Sequence, residues 1–451
     1  MYFKQLTNKP PAFYAVALVV TLAPLYLGSY QYRIRHPYGG ATGSSSLTFI
    51  QDWLDRDLIQ PFDPSPIAAY CKRSTWRSDL VFTLEGGPRG DVAELRSSVL
   101  DFILYAIEAG ASIVLPYAEE RAGFNEEGKA VELPDFGMLF DRTWFLEGIR
   151  QACPQMTVYT TREETEGMVT LPRTYTPYSR RIDIGKGNTK DDFLHDLDAW
   201  LKEEGVNTTS GGRATLVSLE RSLWSVDTRS TPSNFRRSIG QLLRSNEDVR
   251  RLAATVVKAI AVMYPWLKIN ARGVIPSQAF FGAYLHTFDY DAESSKKGEA
   301  YSGFSAQADG LLEHAAQDNF HVVYMASENV TELERLQQKA AYLSPPIIAI
   351  TKFSVLTDSD VNTLKSLTPR QQKLVDYEVL RRSSMFAGPI WSPMSYAIAL
   401  ARNEWWSGQG RVNDPWYVTH AETGIAFDDG ISRVLGRDGL IEQRVVRAIW
   451  P

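Results

Sequence analysis

Cysteine is scarce in this sequence. Cys71 and Cys153 are its only two cysteines. So few thiols exclude a scaffold held by several disulfides, and no pair of Cys-x-x-Cys motifs is present to form a structural zinc site. The sequence leaves two readings open: one bridge between Cys71 and Cys153 in an oxidising compartment, or two separate buried thiols.

Several common catalytic motifs are also missing. The sequence has no G-x-S-x-G elbow, no H-E-x-x-H and no P-loop, and its six histidines are scattered. These absences argue against an α/β-hydrolase, a zincin protease and a P-loop nucleotidase. We therefore assign no metal site and no cofactor.

Three Asp-x-Asp triplets are the remaining candidates for holding a divalent cation, which prefers carboxylate oxygens. Short acidic triplets also arise by chance, and for each of the three we favour the interpretation as solvated loop acids. The pair Asp289 and Asp291 is the best candidate because it directly follows a predicted strand. The triplets are Asp196/Asp198, Asp289/Asp291 and Asp358/Asp360.

Positive charge is not in excess. The formal net charge is -5 and the isoelectric point is about 5.8. Nucleic-acid-binding proteins carry a basic footprint, so we predict no nucleic-acid partner.

Charge is absent from residues 10–32, and the run from Phe13 to Gly28 is strongly apolar. Such a segment is long enough to cross the hydrocarbon core of a bilayer as a helix. We predict a cytosolic tail over residues 1–9 and a transmembrane anchor over residues 10–32. A cleaved signal peptide is the alternative, but no clear small-x-small cleavage site follows the run.

Two sequons bear on the orientation of that anchor. They begin at Asn207 and Asn329, and each is a glycosylation site if the body of the protein is lumenal. Residues 39–46, rich in glycine and serine, have the composition of a linker, so we predict a stem over residues 33–75. Together these features favour a single-pass type II glycoprotein of the Golgi or ER lumen.

The body alternates between two kinds of segment, which indicates an α/β fold with parallel sheets. Short apolar runs predict strands at 79–84, 112–116, 157–160, 280–285, 321–325 and 347–350. Helical spacing of apolar residues predicts helices at about 92–107, 142–152, 245–264, 306–317, 331–341 and 371–383. Gly110 is predicted to cap the first helix, and Ser245 with Asp248 to begin the third. Prolines near 265–277 divide the body into two predicted Rossmann-like lobes, residues 76–264 and 265–451.

Four segments, in this order, resemble the GDP-fucose protein O-fucosyltransferase family, particularly its diverse fungal members. One is the Gly-Gly turn that leads through a helix to Leu-Pro116, and the next resembles an F-x-x-I-F-D-x-x-x-F motif. The strand before His286 is similar to the family's strand ending in His-Leu-Arg. The last resembles its late D-x-x-V…F-x-G-x-x-x-S-x-x-S…R element. The segments span 86–116, 136–146, 282–287 and 376–402.

The resemblance implies a GT-B fold whose second lobe holds a GDP-sugar donor, and an inverting sugar transfer that requires no metal. The acceptor, a protein or a small molecule, is not implied. Carried over by position, the sugar-nucleotide site would contain Gly86, Gly87, Arg96, Tyr284, Ser392 and Ser395, with His286 and Asp289 as catalytic residues.

The sequence departs from the family where the donor phosphates would be bound. Tyr284-Leu285-His286 stands in place of His-Leu-Arg, or, in a shifted alignment, His286 matches the family's histidine and Phe288 its arginine. In both alignments the guanidinium, a bidentate phosphate ligand, is lost. Two alternatives to a transferase follow: a catalytically degenerate binding paralogue, and an enzyme repurposed in a natural-product pathway.

Overall fold

The computed structural model describes residues 43–56, 58, 61–85, 91–116, 123–124, 130–131, 136–161, 163–177, 189–206, 213–220, 226–228, 231–287, 303–408, 424–436 and 448–451. The predicted tail and anchor, residues 1–32, lie outside this set. Within the described ranges no helix is long and apolar enough to cross a membrane. By contacts within the chain, residues 1–51 and 52–451 form two compact units.

The first sheet contains parallel strands only. Its strands lie in the order β5-β2-β1-β7-β6. A four-residue helix, α4 (Phe136–Leu139), precedes β5 in the chain. The strands are β1 (Leu80–Leu84), β2 (Ser112–Val114), β5 (Val158–Tyr159), β6 (Val169–Thr170) and β7 (Thr215–Leu219), and a separate antiparallel pair is β3 (Gly123–Phe124) with β4 (Ala130–Val131). The longer helices of this half of the chain are α3 (Val92–Ala109), α5 (Arg142–Ala152), α6 (Thr189–Glu203), α7 (Ser233–Gly240) and α8 (Glu247–Met263).

The second sheet is parallel except at one edge, where β12 runs antiparallel to β13. Its strand order is β10-β9-β8-β11-β13-β12. The strands are β8 (Phe281–Tyr284), β9 (Val322–Ala326), β10 (Ile348–Ile350), β11 (Met385–Pro389), β12 (Ile425–Asp428) and β13 (Ser432–Leu435). The helices are α9 (Phe304–Gln317), α10 (Val330–Ala341), α11 (Lys352–Val355), α12 (Asp358–Ser366), α13 (Pro369–Arg381) and α14 (Pro393–Gly408).

These two sheets confirm the predicted α/β alternation. Short buried apolar runs form the central strands because helices cover parallel sheets on both faces, and β8, β9 and β11 are buried at every position. Gly110 caps α3 in the left-handed conformation at φ 65°, as predicted. The change from one sheet to the other falls between Leu219 and Phe281, an interval that contains the predicted lobe boundary. Both sheets belong to the compact unit 52–451, and the division into lobes stays a prediction.

One predicted helix start is wrong. Asn246, not Ser245, caps α8, because the Asn246 side chain accepts from the amide of Val249. The hydroxyl of Ser245 donates instead to Glu378 on α13, over 2.7 Å. The Ser245 side chain, which local sequence assigned to helix capping, therefore makes a tertiary contact instead.

The range predicted as a stem contains regular secondary structure. Two helices, α1 (Gly43–Leu54) and α2 (Ser65–Cys71), lie within residues 33–75, and residues from Asp52 onward belong to the larger compact unit. Cys71 is bonded to Cys153 after α5, with Cα atoms 5.6 Å apart. The bridge resolves the open question of the two cysteines, and the stem over residues 33–75 stays a prediction.

Candidate functional site

A cavity of about 820 Å³ opens at the carboxyl ends of the second sheet's parallel strands. Tyr284 and His286 enter it at the end of β8, Ala326 and Ser327 at the end of β9, and Thr351 after β10. Open α/β sheets bind ligands at this edge, since the loops that follow adjacent strands surround one crevice there. The fold therefore places the candidate site where a ligand of an α/β protein is expected.

The cavity's central cation is Lys373, in the first half of α13. Its ammonium lies 2.7 Å from a carboxylate oxygen of Asp91 and also pairs with Glu328. Asp91 is the N-cap of α3, so this contact joins the start of that helix to α13. Burial disfavours the charge on Lys373, but Tyr284, Asp91 and Glu328 outweigh it and raise its pKa. The ammonium is held in place before any ligand arrives.

A second buried ion pair lies on the wall made by β9, β10 and α13. Lys352 donates to Asp376 over 2.6 Å and to the carbonyl of Gln372 over 2.8 Å. Tyr324, on β9, donates its hydroxyl to the other oxygen of Asp376 over 2.6 Å. Since each member has a partner, this cluster stiffens the wall rather than offering open donors to a ligand.

Arg370 contrasts with both lysines. It lines the cavity near the N-terminus of α13 and is half-buried. Its guanidinium has no hydrogen bond or ion pair to any residue that the structure describes. It can therefore bind an anionic ligand without breaking a contact to any of these described residues.

Buried polar atoms without partners mark the wall made by β8, β11 and α14. The Tyr284 hydroxyl, the Trp391 indole nitrogen and the Ser395 hydroxyl have no hydrogen-bond partner among the residues described. Tyr284 and Trp391 line the cavity, and Ser395 lies in the first turn of α14. An unsatisfied buried polar group costs about 1–3 kcal/mol. A ligand rich in acceptor oxygens would satisfy the two donors that line the cavity, Tyr284 and Trp391.

His286 lies where the main cavity meets a smaller one of about 420 Å³. Its backbone exchanges two hydrogen bonds with the side chain of Gln307, at 3.0 and 2.7 Å. Its ring stacks on that of Tyr284, with centroids 6.1 Å apart. Burial and then the charge of Lys373 lower its pKa below the ordinary value. The imidazole is therefore neutral at neutral pH and able to accept a proton.

Of the residues that the sequence suggested for this site, Tyr284 and His286 line the cavity together. Ser392 and Ser395 are fully buried behind Trp391 and Pro393. The Ser392 hydroxyl accepts from the amide of Met394, which caps α14.

Arg96 lies away from the cavity lining. It is buried and donates to the carbonyls of Trp450 and Gly240. This contact joins α3 to the last residues of the chain, a structural role that local sequence did not indicate. Gly86, Gly87, Asp289 and Asn207 lie outside the described residues.

One aspartate of each acidic triplet that can be placed already has a protein partner. Asp198 pairs with Arg77 over 2.6 Å, and Asp360 accepts from the Thr357 cap of α12. In the ranges that the structure covers, no three potential metal ligands come together. Asn329, the second sequon, is exposed at the rim of the smaller cavity, where it caps α10.

Sequence reasoning missed Lys373, Asp91, Arg370 and Trp391. Charged residues near the N-terminus of a helix that follows a parallel strand were the available signal, because such positions face the ligand edge of the sheet. That signal was weak for α13, since two further helices separate it from β10.

Comparisons with known proteins return fucosyltransferases as structural neighbours. POFUT1 in complex with GDP-fucose aligns at 13% identity over 73% of this chain and 95% of that chain, with a TM-score of 0.41. Apo POFUT1 aligns at 13% identity over 74% and 97%, with a TM-score of 0.40. A mutant of FUT1 from Arabidopsis thaliana in complex with GDP aligns at 13% identity over 83% and 75%, with a TM-score of 0.34. No family model matches the chain, and no curated protein matches it. Likenesses this loose establish neither activity nor ligand.

Proposed function

We propose that the protein is a glycosyltransferase that binds a GDP-sugar in the cavity at the edge of its second sheet. One observation carries the proposal. The cavity combines the Arg370 guanidinium, which has no partner among the described residues, a fixed ammonium at Lys373, and the buried donors of Tyr284 and Trp391, which lack acceptors in the same part of the chain. Helices α13 and α14 both begin beside it. Diphosphate oxygens are acceptors with negative charge, and they match this set.

In this proposal the diphosphate lies between the N-termini of α13 and α14. Arg370 binds it directly, and Lys373 supplies positive charge from the cavity wall. Tyr284 and Trp391 donate to its remaining oxygens. Arg370 takes the part of the arginine that the resembling family has at the end of the first strand of its second lobe. The assignment of guanine as the base rests on the sequence resemblance.

His286 is the proposed general base. The acceptor hydroxyl attacks the anomeric carbon, the bond from that carbon to the phosphate oxygen breaks, and GDP leaves with the bonding electrons. The proton of the acceptor hydroxyl goes to the neutral imidazole of His286, whose pKa is lowered by burial and by Lys373. The smaller cavity beside His286 offers the acceptor a place to bind. Asp289 stays a second candidate for this role.

A binding protein that no longer transfers sugar is the competing function. The pairing of Lys373 with Asp91 and Glu328 favours it, because this ammonium is already neutralised. A donor phosphate would have to compete with two carboxylates for it. Slow hydrolysis of GDP-fucose by the purified protein would exclude this alternative, since hydrolysis requires the donor bond to break.

We also propose that the body lies in the ER or Golgi lumen behind an anchor at residues 10–32. The disulfide between Cys71 and Cys153 supports an oxidising compartment. Glycosidase sensitivity at Asn329, together with protease protection in intact microsomes, tests the orientation. A body that is digested in intact microsomes would contradict it.

Calorimetry with GDP, UDP and CMP tests the ligand. We expect GDP to bind and Arg370→Ala to weaken it about 10- to 100-fold, the loss of about 1.5–3 kcal/mol from a charge-assisted hydrogen bond. Lys365→Ala, an exposed lysine on α12, is the matched control and should bind GDP like the parent. No heat with any of the three nucleotides would overturn the proposal.

A further inference from the structure

The backbone of His286 lies just beyond the point where the pairing of β8 with β9 ends. Strand β8 ends at Tyr284, and one further sheet-like hydrogen bond runs from the amide of Leu285 to the carbonyl of Ala326, over 2.9 Å. Backbone N–H and C=O groups that leave a sheet inside a protein still need hydrogen-bond partners. At His286 a side chain supplies them.

Gln307, the fourth residue of α9, is that side chain. Its Oε1 accepts from the amide of His286 over 3.0 Å, and its Nε2 donates to the carbonyl of the same residue over 2.7 Å. Gln307 is only 2% exposed. Because one buried amide satisfies both backbone groups of His286, it takes the place of a partner strand at this residue.

The next residue, Thr287, is held by a different helix. Its hydroxyl donates to the carboxylate of Glu332 over 2.6 Å. Glu332 is buried and is the third residue of α10. We call these contacts, Gln307 to His286 and Glu332 to Thr287, the His286 clamp. Through it, α9 and α10 fix two successive residues after β8.

The clamp holds the backbone of His286 and does not involve its ring nitrogens. The ring itself stacks on the buried ring of Tyr284, at 6.1 Å between centroids. A fixed backbone and a stacked ring together hold the imidazole where the two cavities meet. A general base must lie within hydrogen-bond reach of the proton that it removes, and a displacement of about 1 Å costs up to about 100-fold in rate.

We propose that Gln307 is the positioning residue for His286 in the sugar transfer. Gln307 lines neither cavity. It acts through His286, by holding the imidazole at the place where the acceptor loses its proton. This inference rests on the proposed transferase function, but the place of the ring is measurable without that function.

Gln307→Met, which has a similar length and makes neither hydrogen bond, tests the role in the full chain. We expect kcat for the hydrolysis of GDP-fucose to fall about 10- to 100-fold, while KM and the affinity for GDP stay within about twofold of the parent. Gln317→Met is the matched control, since it places the same substitution at an exposed position of α9, and it should hydrolyse the donor like the parent. Thermal melting checks folding. If Gln307→Met is unfolded, Gln307→Asn replaces it, because the shorter amide cannot reach both backbone groups.

A double variant separates positioning of His286 from general damage to the fold. In His286→Gln the imidazole is absent, so adding Gln307→Met should change kcat by less than about twofold. An equal loss of kcat in both backgrounds would overturn the proposal, and so would an unchanged kcat in Gln307→Met alone.

Titration of the His286 ring by NMR tests the same role without activity. Burial is the largest cause of the lowered pKa of His286. In Gln307→Met the released ring reaches water, so its pKa should rise toward the ordinary value. The charges that face the ring are the same in both proteins: Lys373, Glu328, Asp91 and Glu332.

His314, also on α9, is the control for this titration. Its pKa depends on its own burial and on Arg433, so it should not change. An unchanged pKa of His286 in Gln307→Met would overturn the inference, whether or not GDP binds. A parent that neither binds GDP nor hydrolyses GDP-fucose would reject the proposed function instead, and the titration alone then decides whether Gln307 positions the ring.

Discussion

The ammonium of Lys373 lies 2.7 Å from the carboxylate of Asp91 and joins α13 to the N-cap of α3 across the candidate site. Neither residue needs this short contact for another role in the fold. Asp91 would cap α3 without Lys373, because its side chain already accepts from the first-turn amides. We therefore expect this ion pair to affect ligand binding in the cavity as well as the stability of the fold.

Replacing Asp91 by Asn should tighten the binding of GDP. Asparagine keeps an oxygen that caps the helix but removes the charge that competes for Lys373. We expect about a fivefold gain in affinity, from about 1 kcal/mol for a partly exposed ion pair. Calorimetry with GDP measures it. Asp358→Asn, at the exposed start of α12, is the control, and an affinity that falls in Asp91→Asn would contradict the assignment.

Removing the charge of Lys373 should raise the pKa of His286. Burial and the lysine charge both lower that pKa, whereas Glu328 and Asp91 raise it. In Lys373→Gln only the lysine's effect is lost, so the acidic limb of the activity profile should move to higher pH. Titration of the His286 ring by NMR measures the same shift without activity. The ring of His314, which lies 3.5 Å from Arg433 and whose pKa does not depend on Lys373, is the control and should not shift between the two proteins. A His286 pKa that stays constant or falls would refute this.

The same histidine predicts how stability depends on pH. Its pKa in the folded state is below that of the unfolded chain, so the unfolded state binds its proton first as pH falls. The histidine therefore has no effect on stability well above its ordinary pKa and destabilises the protein as pH falls below it. The free energies of unfolding of the parent and of His286→Gln, measured by urea denaturation, should diverge at acid pH. The value for the variant should fall less. Parallel curves at every pH would exclude a lowered pKa.

The carboxyl group of Asp101 should be a source of instability at neutral pH. It is fully buried on α3, accepts from the Trp450 indole over 2.7 Å, and burial raises its pKa well above the ordinary value. The folded state therefore favours the protonated acid, and stability is lost as pH rises from the ordinary pKa to the raised one. Asp101→Asn keeps the acceptor for Trp450 and removes this loss.

Urea denaturation at pH 5 and pH 8 measures the effect. We expect the stability of Asp101→Asn relative to the parent to increase with pH. Asp192→Asn, an exposed residue of α6, should show no such trend. A variant that loses stability equally at both values would show that the charged form is the native one.

Loss of the disulfide should destabilise the protein and leave the affinity of the cavity for GDP unchanged. Cys71 and Cys153 close a segment with a sequence separation of 82. Removing a native bridge typically costs about 2–5 kcal/mol. The double variant Cys71→Ala with Cys153→Ala should therefore unfold at lower urea while GDP affinity is kept. Reductant should lower the stability of the parent and leave the double variant unchanged. A reductant effect on the double variant would point to another cause.

Local sequence was a good guide to which segments became strands and helices. The predicted helix 142–152 coincides with α5, and the strand at 280–285 contains β8. Apolar spacing and glycine caps act over a few residues, so they can be recognised in the sequence without knowledge of the tertiary structure. By contrast, β7 was not predicted, although it pairs with β1 along five positions. Its run Thr215–Leu219 is short and its apolar residues are interrupted by Ser218, so the pairing with β1 decides its structure.

The candidate site shows the same difference between features set by local sequence and features set by tertiary contacts. The sequence by itself determined an α/β chain with a charge-free segment at residues 10–32, and it placed Tyr284 and His286 at the end of one strand. Only the tertiary structure decided that Lys373 and Asp91 meet beside them, and that Arg96 binds the end of the chain instead. The physical reason is range: periodicity and capping depend on neighbours in sequence, whereas the partner of a charge depends on which strand ends the sheet order brings together.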